Sequence, residues 1–212
     1  MGDSVQQQLI NDMTAWLESL DFEARVEAIN HFRQALHGVS PFNDQPVDCV
    51  IWVKEEQITP NAYNPNNMAP PEKRLLQKSL EADGFTQPLV VMDKDAHQYE
   101  IVDGFHRFAL ASSKPGLKKQ FKGYLPITSI DSRSTTLSSR MAATVRHNRA
   151  RGRHQINAMS DIVLELARLG WNDEKISKEL GMDSDEVLRL KQVNGLLEMF
   201  GDRNFSQAWT VK

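Results

Sequence analysis

The chain has 212 residues, 25% of them charged and 40% hydrophobic, a net charge of −3 and one cysteine. That length allows one or two domains with a real core, while the lone Cys49 excludes an intrachain disulfide and suits a reducing cytoplasm. No apolar run is long enough to cross a membrane and no secretory signal is visible, so no membrane partner is expected. Charge is spread unevenly: from Gly104 to Ser160 eleven Lys or Arg stand against one acid, Asp131. Such asymmetry points to a polyanion-binding face. The plainer reading is a basic surface balanced by the acidic remainder.

Residues 5–37 read as two helices. Leu9, Ile10, Met13, Trp16 and Leu17 share one face, Phe22, Val26, Ile29, Phe32 and Leu36 another, and Gly38 is a stop. This hairpin is expected to pack on the main domain or to serve a homodimer or protein partner. Val47 to Val53 reads as the first strand. Ile58 to Asn66, with two prolines and three asparagines, reads as a loop. Pro71 to Ala82 reads as a helix with Leu75, Leu76 and Leu80 inward. Asp83-Gly84 ends it, and Phe85 to Val91 turns into an apolar strand. Asp93-Lys94-Asp95 reads as a hairpin turn.

Tyr99 to Val102 then alternates like a strand, and the residues from Phe105 to Ala111 are apolar at helical spacing. Between them lies Asp103-Gly104-Phe105-His106-Arg107. A helix start favours an anion, Gly104 would let backbone approach a ligand, and Arg107 could fork onto phosphate oxygens. A phosphate site and an ordinary strand–turn–helix both fit these residues. Lys114 to Lys119 reads as a basic loop and Leu125 to Ile127 as a short strand. Arg140, Arg146, Arg149, Arg151 and Arg153, with His147 and His154, make a run that must be solvated or paired.

Residues 155–200 form three helical blocks. Ile156, Met159, Ile162, Val163, Leu166 and Leu169 share a face; Asn172-Asp173 and Asp183-Ser184 are caps for the next two helices, with Gly181 turning between them. Short helix, glycine turn, longer helix is helix-turn-helix spacing. If it meets DNA, Ser184, Arg189, Lys191 and Gln192 are the base-facing candidates, with Lys175 and Lys178 on phosphates. Asp183, Asp185 and Glu186 oppose that reading by charge, and a structural helical subdomain is the alternative.

Four stretches carry a family resemblance. Asp103-Gly104-Phe105-His106-Arg107 resembles the Gly-Glu-Arg-Arg box of ParB partition proteins and, more closely, the Asp-Gly-x-His-Arg variant of ParB-like proteins that bind or use ATP. It is also similar to the Gly-Cys-His-Arg box of sulfiredoxin, but Phe105 replaces the catalytic Cys, so sulfinic acid reduction is not expected. Gly84 to Val91 resembles the Gly-x-x-Gln-Pro-Ile-x-Val box, and the Asn-Pro loop at Asn64 has a counterpart beside the ParB nucleotide pocket. His147-Asn148-Arg149-Ala150-Arg151 resembles Glu-Asn-x-x-Arg, with His147 in place of the Glu that helps hold magnesium triphosphate; histidine suits that hard ion poorly. The N-terminal hairpin, the motif, the His147 to Gly152 run and the Phe-Ser-x-x-Trp tail at Phe205 to Trp209 look like the IbrB group, ParB-like co-activators of prophage and immunoglobulin-binding gene expression in enteric bacteria. A counterpart of the separate C-terminal dimerisation domain of partition ParB proteins is not expected here, and neither is a plasmid partition role.

The resemblance, from about residue 50 to 200, implies an α/β (α+β) fold. A helical hairpin (1–45) precedes a ParB/sulfiredoxin-like domain (46–135), and an all-α region (136–212) holds the basic segment, the helix-turn-helix and the tail. It implies a nucleotide-binding transcription regulator. The expected nucleotide residues are Asn64, Gln87, Asp103, Gly104, His106, Arg107, Asn148 and Arg151, for ATP or CTP with or without Mg2+. The surplus arginines Arg140, Arg146 and Arg153 are then left for DNA. The competing reading is an enzyme, an NTPase or a kinase of a small hydroxyl compound, in which Asp103 orients or deprotonates the hydroxyl.

Overall fold

The computed structural model describes residues 2–61, 68–95, 97–130, 136–149 and 156–200. Two compact units are present: Met1–Pro60 with Arg74–Ser132, and Asn61–Lys73 with Arg133–Lys212.

The first unit opens with helices α1 (Gly2–Ser19) and α2 (Phe22–Val39). Asp21 caps α2 by accepting from the Ala24 amide at 2.9 Å, satisfying a donor that the helix itself cannot. Trp16 meets Phe32 edge-on with centroids 5.9 Å apart and closes the hairpin. The hairpin belongs to the same unit as the sheet.

Strand β1 is Ile51–Lys54, shorter than the Val47 to Val53 expected. Pro46 to Asp48 form a 3-10 turn instead. Proline fixes the backbone for that turn, and the Asp48 carboxylate is held by His37 at 2.7 Å and Ser40 at 3.1 Å. With β2 (Ile58–Thr59), β3 (Leu89–Asp95), β4 (Gln98–Asp103) and β5 (Tyr124–Ser129), one sheet forms in the order β1-β5-β3-β4-β2. β1 runs antiparallel to β5, β5 parallel to β3, β3 antiparallel to β4, and β4 parallel to β2. β3 continues through Asp95, so the turn expected at Asp93-Lys94-Asp95 falls later, where His97 takes a positive φ of 63°.

β1 is an edge strand, and its outer side is closed by a side chain. Asn30 of α2 accepts from the Trp52 amide at 3.0 Å and donates to the Trp52 carbonyl at 2.6 Å. One carboxamide thus replaces the missing neighbour strand.

Leu89, Val91, Ile101, Leu125 and Ile127 form the core of the sheet. Helices α3 (Pro70–Asp83), α4 (Phe105–Ser113) and α5 (Pro115–Gln120) follow. The basic stretch expected as a loop is α5. Pro115 is tolerated in its first turn, and Leu117 is fully buried with Leu80 and Leu110. A single buried leucine among lysines gave no periodicity to read.

The second unit holds α6 (Leu137–Arg149), α7 (Ile156–Arg168), α8 (Asp173–Leu180) and α9 (Ser184–Phe200). Arg140, Arg146 and Arg149 of the basic run lie on α6. Met141, Ala142 and Val145 are the buried face of that helix, packed with Val163, Leu166, Ile176 and Val187. Asn172 caps α8 through the Lys175 amide at 2.9 Å, and Asp183 caps α9 through the Glu186 amide at 2.6 Å. Gly181, at φ 63°, turns the chain between them in the left-handed conformation that favours glycine. No helix among the described residues is long and apolar enough to cross a membrane.

Candidate functional site

The motif is built where β4 becomes α4. The strand needs Asp103 extended, the helix starts at Phe105, and Gly104 makes the change of direction at φ 95°, ψ 14°. A β-carbon on Gly104 would stand 2.7 Å from Leu89 Cδ2 and 3.0 Å from Arg107 Nη2. The space beside Gly104 is therefore filled by the chain's own atoms. Glycine is required here by the left-handed backbone and by packing.

Arg107 reaches back over the turn. Its Nη1 donates to the carbonyls of Gln87 and, at 3.1 Å, of Pro88; its Nη2 lies 3.8 Å from Asp103 Oδ2. Both charged side chains are largely shielded, 15% and 10% exposed. Arg107 thus fastens the entry of β3 to the motif turn. It brings Gln87, Asp103 and Gly104 together, although Gln87 contributes its backbone carbonyl here. His106 lies beside Phe105, ring centroids 5.5 Å apart. The start of α4 presents amides outside the helix's own ladder, a position suited to an anion.

Of the other expected nucleotide residues, Asn64 and Arg151 lie outside the described residues. Asn148 lies on α6 in the second unit, with only its backbone described.

Among the expected DNA residues, Arg153 lies outside the described residues and Arg140 is described only as backbone of α6. Arg146, expected among the surplus arginines, donates through Nη1 to Glu179 of α8 at 2.7 Å. The absence of acids within the basic run hid this partner, because the fold supplies it from a helix thirty-three residues later. Lys191 is likewise paired, with Asp173, and Arg189 Nε donates to the Asp185 carbonyl at 3.3 Å. Lys175 sits 4.2 Å from the Trp171 ring centroid. Lys178, Ser184, Arg189 and Gln192 are exposed. The acid that opens α9, Asp183, has a structural duty as the cap. The tail at Phe205 to Trp209 lies outside the described residues.

Sequence reading missed Asn30 and Arg33, which face the sheet from α2. The available signal was two polar residues beside the apolar stripe of Val26, Ile29 and Phe32. Among the described residues no cluster of three His, Cys, Asp or Glu could hold a metal.

Two family models match this architecture. The model of the ParB N-terminal domain matches residues 43–136, and that of the IbrB-like C-terminal HTH domain matches residues 154–202. The uncharacterized protein YbdM of Escherichia coli (strain K12) is 62% identical over 212 residues, covering 100% of both chains. Among solved structures, a C-terminally truncated chromosome-partitioning protein ParB from Caulobacter crescentus complexed with CTP-gamma-S is 16% identical, with a TM-score of 0.39, over 71% of this chain and 83% of that one. The same protein complexed to the centromeric parS site gives 16% identity and a TM-score of 0.44 over 72% and 79%. A Pnob8-like ParB-N domain gives 15% and 0.47 over 73% of each chain. With a ParB N-terminal domain followed by an IbrB-like helix-turn-helix domain, the chain belongs to the ParB-like proteins of the IbrB group.

Proposed function

We infer that this chain is a DNA-binding regulator of transcription whose ParB-type domain responds to a nucleoside triphosphate. The observation that carries the reading is the α8–Gly181–α9 unit, capped at both helix starts and matched by the IbrB-like HTH domain model. Lys178, Ser184, Arg189 and Gln192 are exposed on these two helices and are the side chains offered to a duplex. Lys175 adds a phosphate contact from beside Trp171. Lys191 serves the fold first, through Asp173, and meets DNA only if that pair opens.

The nucleotide reading rests on the motif. Arg107 and His106 stand at the start of α4, and those donors suit a phosphate group. Arg107 acts there as the brace that holds Gln87, Pro88 and Asp103 in place. ATP or CTP, with or without Mg2+, is the proposed ligand class. No specific observation favours the phosphotransferase reading, in which Asp103 would serve as base.

The test has two arms. Selection from a random duplex pool should enrich a defined sequence, and binding to it should weaken steeply with salt. Recovery of unenriched DNA would overturn sequence-specific regulation. Thermal melts with ATP and CTP, each with and without Mg2+, should show a raised midpoint for one nucleotide, since a ligand of the folded state stabilises it. No shift with either would overturn the nucleotide reading and leave the DNA reading standing.

A further inference from the structure

We propose that the cleft between α2 and the β1–β5 edge of the sheet is a second binding site, for a small organic acid with an apolar body. The cleft measures about 330 Å³ and is bounded by Phe22, Ile29 and Arg33 from α2, Trp52 from β1, and Phe121 and Lys122 before β5. That volume lies at the lower end of the range of small-molecule sites, roughly 300–1,000 Å³. Its lining is aromatic and aliphatic with a few polar groups, and no Asp or Glu is among the lining residues.

Two cations stand on this wall without a carboxylate. Arg33 Nη1 is buried and has no hydrogen-bond partner among the described residues. A guanidinium N–H removed from water and left unpaired is costly, and native interiors rarely carry one. Lys122 holds its ammonium 4.4 Å from the centre of the Phe22 ring and makes no ion pair among the described residues. Asn30, which also lines the cleft, is already committed on both sides of its amide to Trp52. The unmet capacity of the site is therefore cationic donors over an aromatic floor. A carboxylate lies within the field of both Arg33 and Lys122, while an aryl or alkyl body covers Trp52, Phe121 and Ile29. A neutral ligand would leave both cations unmatched, and a nucleoside triphosphate would exceed both the volume and the two charges. Bound there, the acid would fasten the N-terminal hairpin to the sheet edge, a site separate from the motif at Gly104.

The test is solution NMR on the full chain, following the indole N–H of Trp52. The probes are benzoate, 3-phenylpropionate, 4-phenylbutyrate and octanoate, each paired with its primary amide. At least one acid should shift the Trp52 signal saturably and bind about tenfold or more tightly than its amide, the worth of one charge-assisted hydrogen bond. Arg33→Met should erase that preference without lowering the melting midpoint of the ligand-free chain, because it removes an unpaired buried donor. Ile29→Trp should fill the cleft and abolish binding. The proposal is overturned if no acid shifts Trp52, if acid and amide bind alike, or if Arg33→Met keeps the preference. Arg33→Met alone decides the matter if Ile29→Trp does not fold.

Discussion

Gly104 sits at the change of direction from strand to helix, and both its backbone and its surroundings demand glycine. Its φ of 95° is one that side chains rarely adopt, and the position a β-carbon would take is 2.7 Å from Leu89. Gly104→Ala should therefore destabilise the first unit by about 1–3 kcal/mol from backbone strain alone, read by urea unfolding. A loss of nucleotide affinity in that variant would report a damaged fold before a damaged site. Arg107→Lys is the cleaner probe. Lysine keeps the charge but has no planar fork to span the Gln87 and Pro88 carbonyls while facing Asp103. It should cost about 1.5–3 kcal/mol, the worth of hydrogen bonds to a charged group, by the same measurement; an unchanged midpoint would show that the brace is not needed. Asp48 gives a pH signature. The hydrogen bond from His37 holds its carboxyl below the usual carboxylate range. A lowered folded value means the contribution is present at neutral pH and is lost as pH falls through that value. Asp48→Asn should flatten this acid limb in a pH series of thermal melts.

At the scale of elements, the acids that open α9 acquire a meaning that charge counting could not give them. Asp183 accepts from the Glu186 amide and so stabilises the helix start through both hydrogen bond and dipole. Asp183→Asn keeps the cap and removes one charge that repels phosphate. It should leave stability nearly unchanged and tighten DNA binding, measured by fluorescence anisotropy on the selected duplex. Asp183→Ala should instead cost about 0.5–2 kcal/mol through loss of the cap. If Asp183→Asn leaves affinity unaltered, α9 does not approach the duplex at its N-terminus. The same reasoning places Arg146. Its bond to Glu179 ties α6 to α8 on a surface where each side chain is nearly half exposed, so the pair contributes at most about 1 kcal/mol.

For the whole molecule, affinity for DNA should rest on exposed cations that no acid holds. Converting Lys175, Lys178 and Arg189 together to Gln should reduce the log–log salt slope of binding by about 0.9 for each phosphate that the variant no longer neutralises. Converting Arg146 should change the slope little, because Glu179 already neutralises it. Titrations on the selected duplex across several salt concentrations would separate the two sets, and an equal reduction from both would refute the assignment.

The amino-acid sequence by itself determined the elements whose apolar pattern is strong: the hairpin stripes, the apolar strand at Leu89, the alternating strand at Tyr99, and the capped helices at Asn172 and Asp183. These signals are local, because a helix face, an apolar or alternating strand and a capping oxygen act within a few residues. The ordered boxes likewise made the family legible. What only the tertiary structure decided is which polar groups were already spent. Arg107 is committed to carbonyls nineteen and twenty residues earlier, and Arg146 to a glutamate thirty-three residues later. Asn30 closes an edge strand twenty-two residues away. Basic residues 114–119 became a helix because Leu117 found Leu80 and Leu110. A hydrogen-bond donor's partner depends on where the chain returns in space, and no window of sequence contains that information.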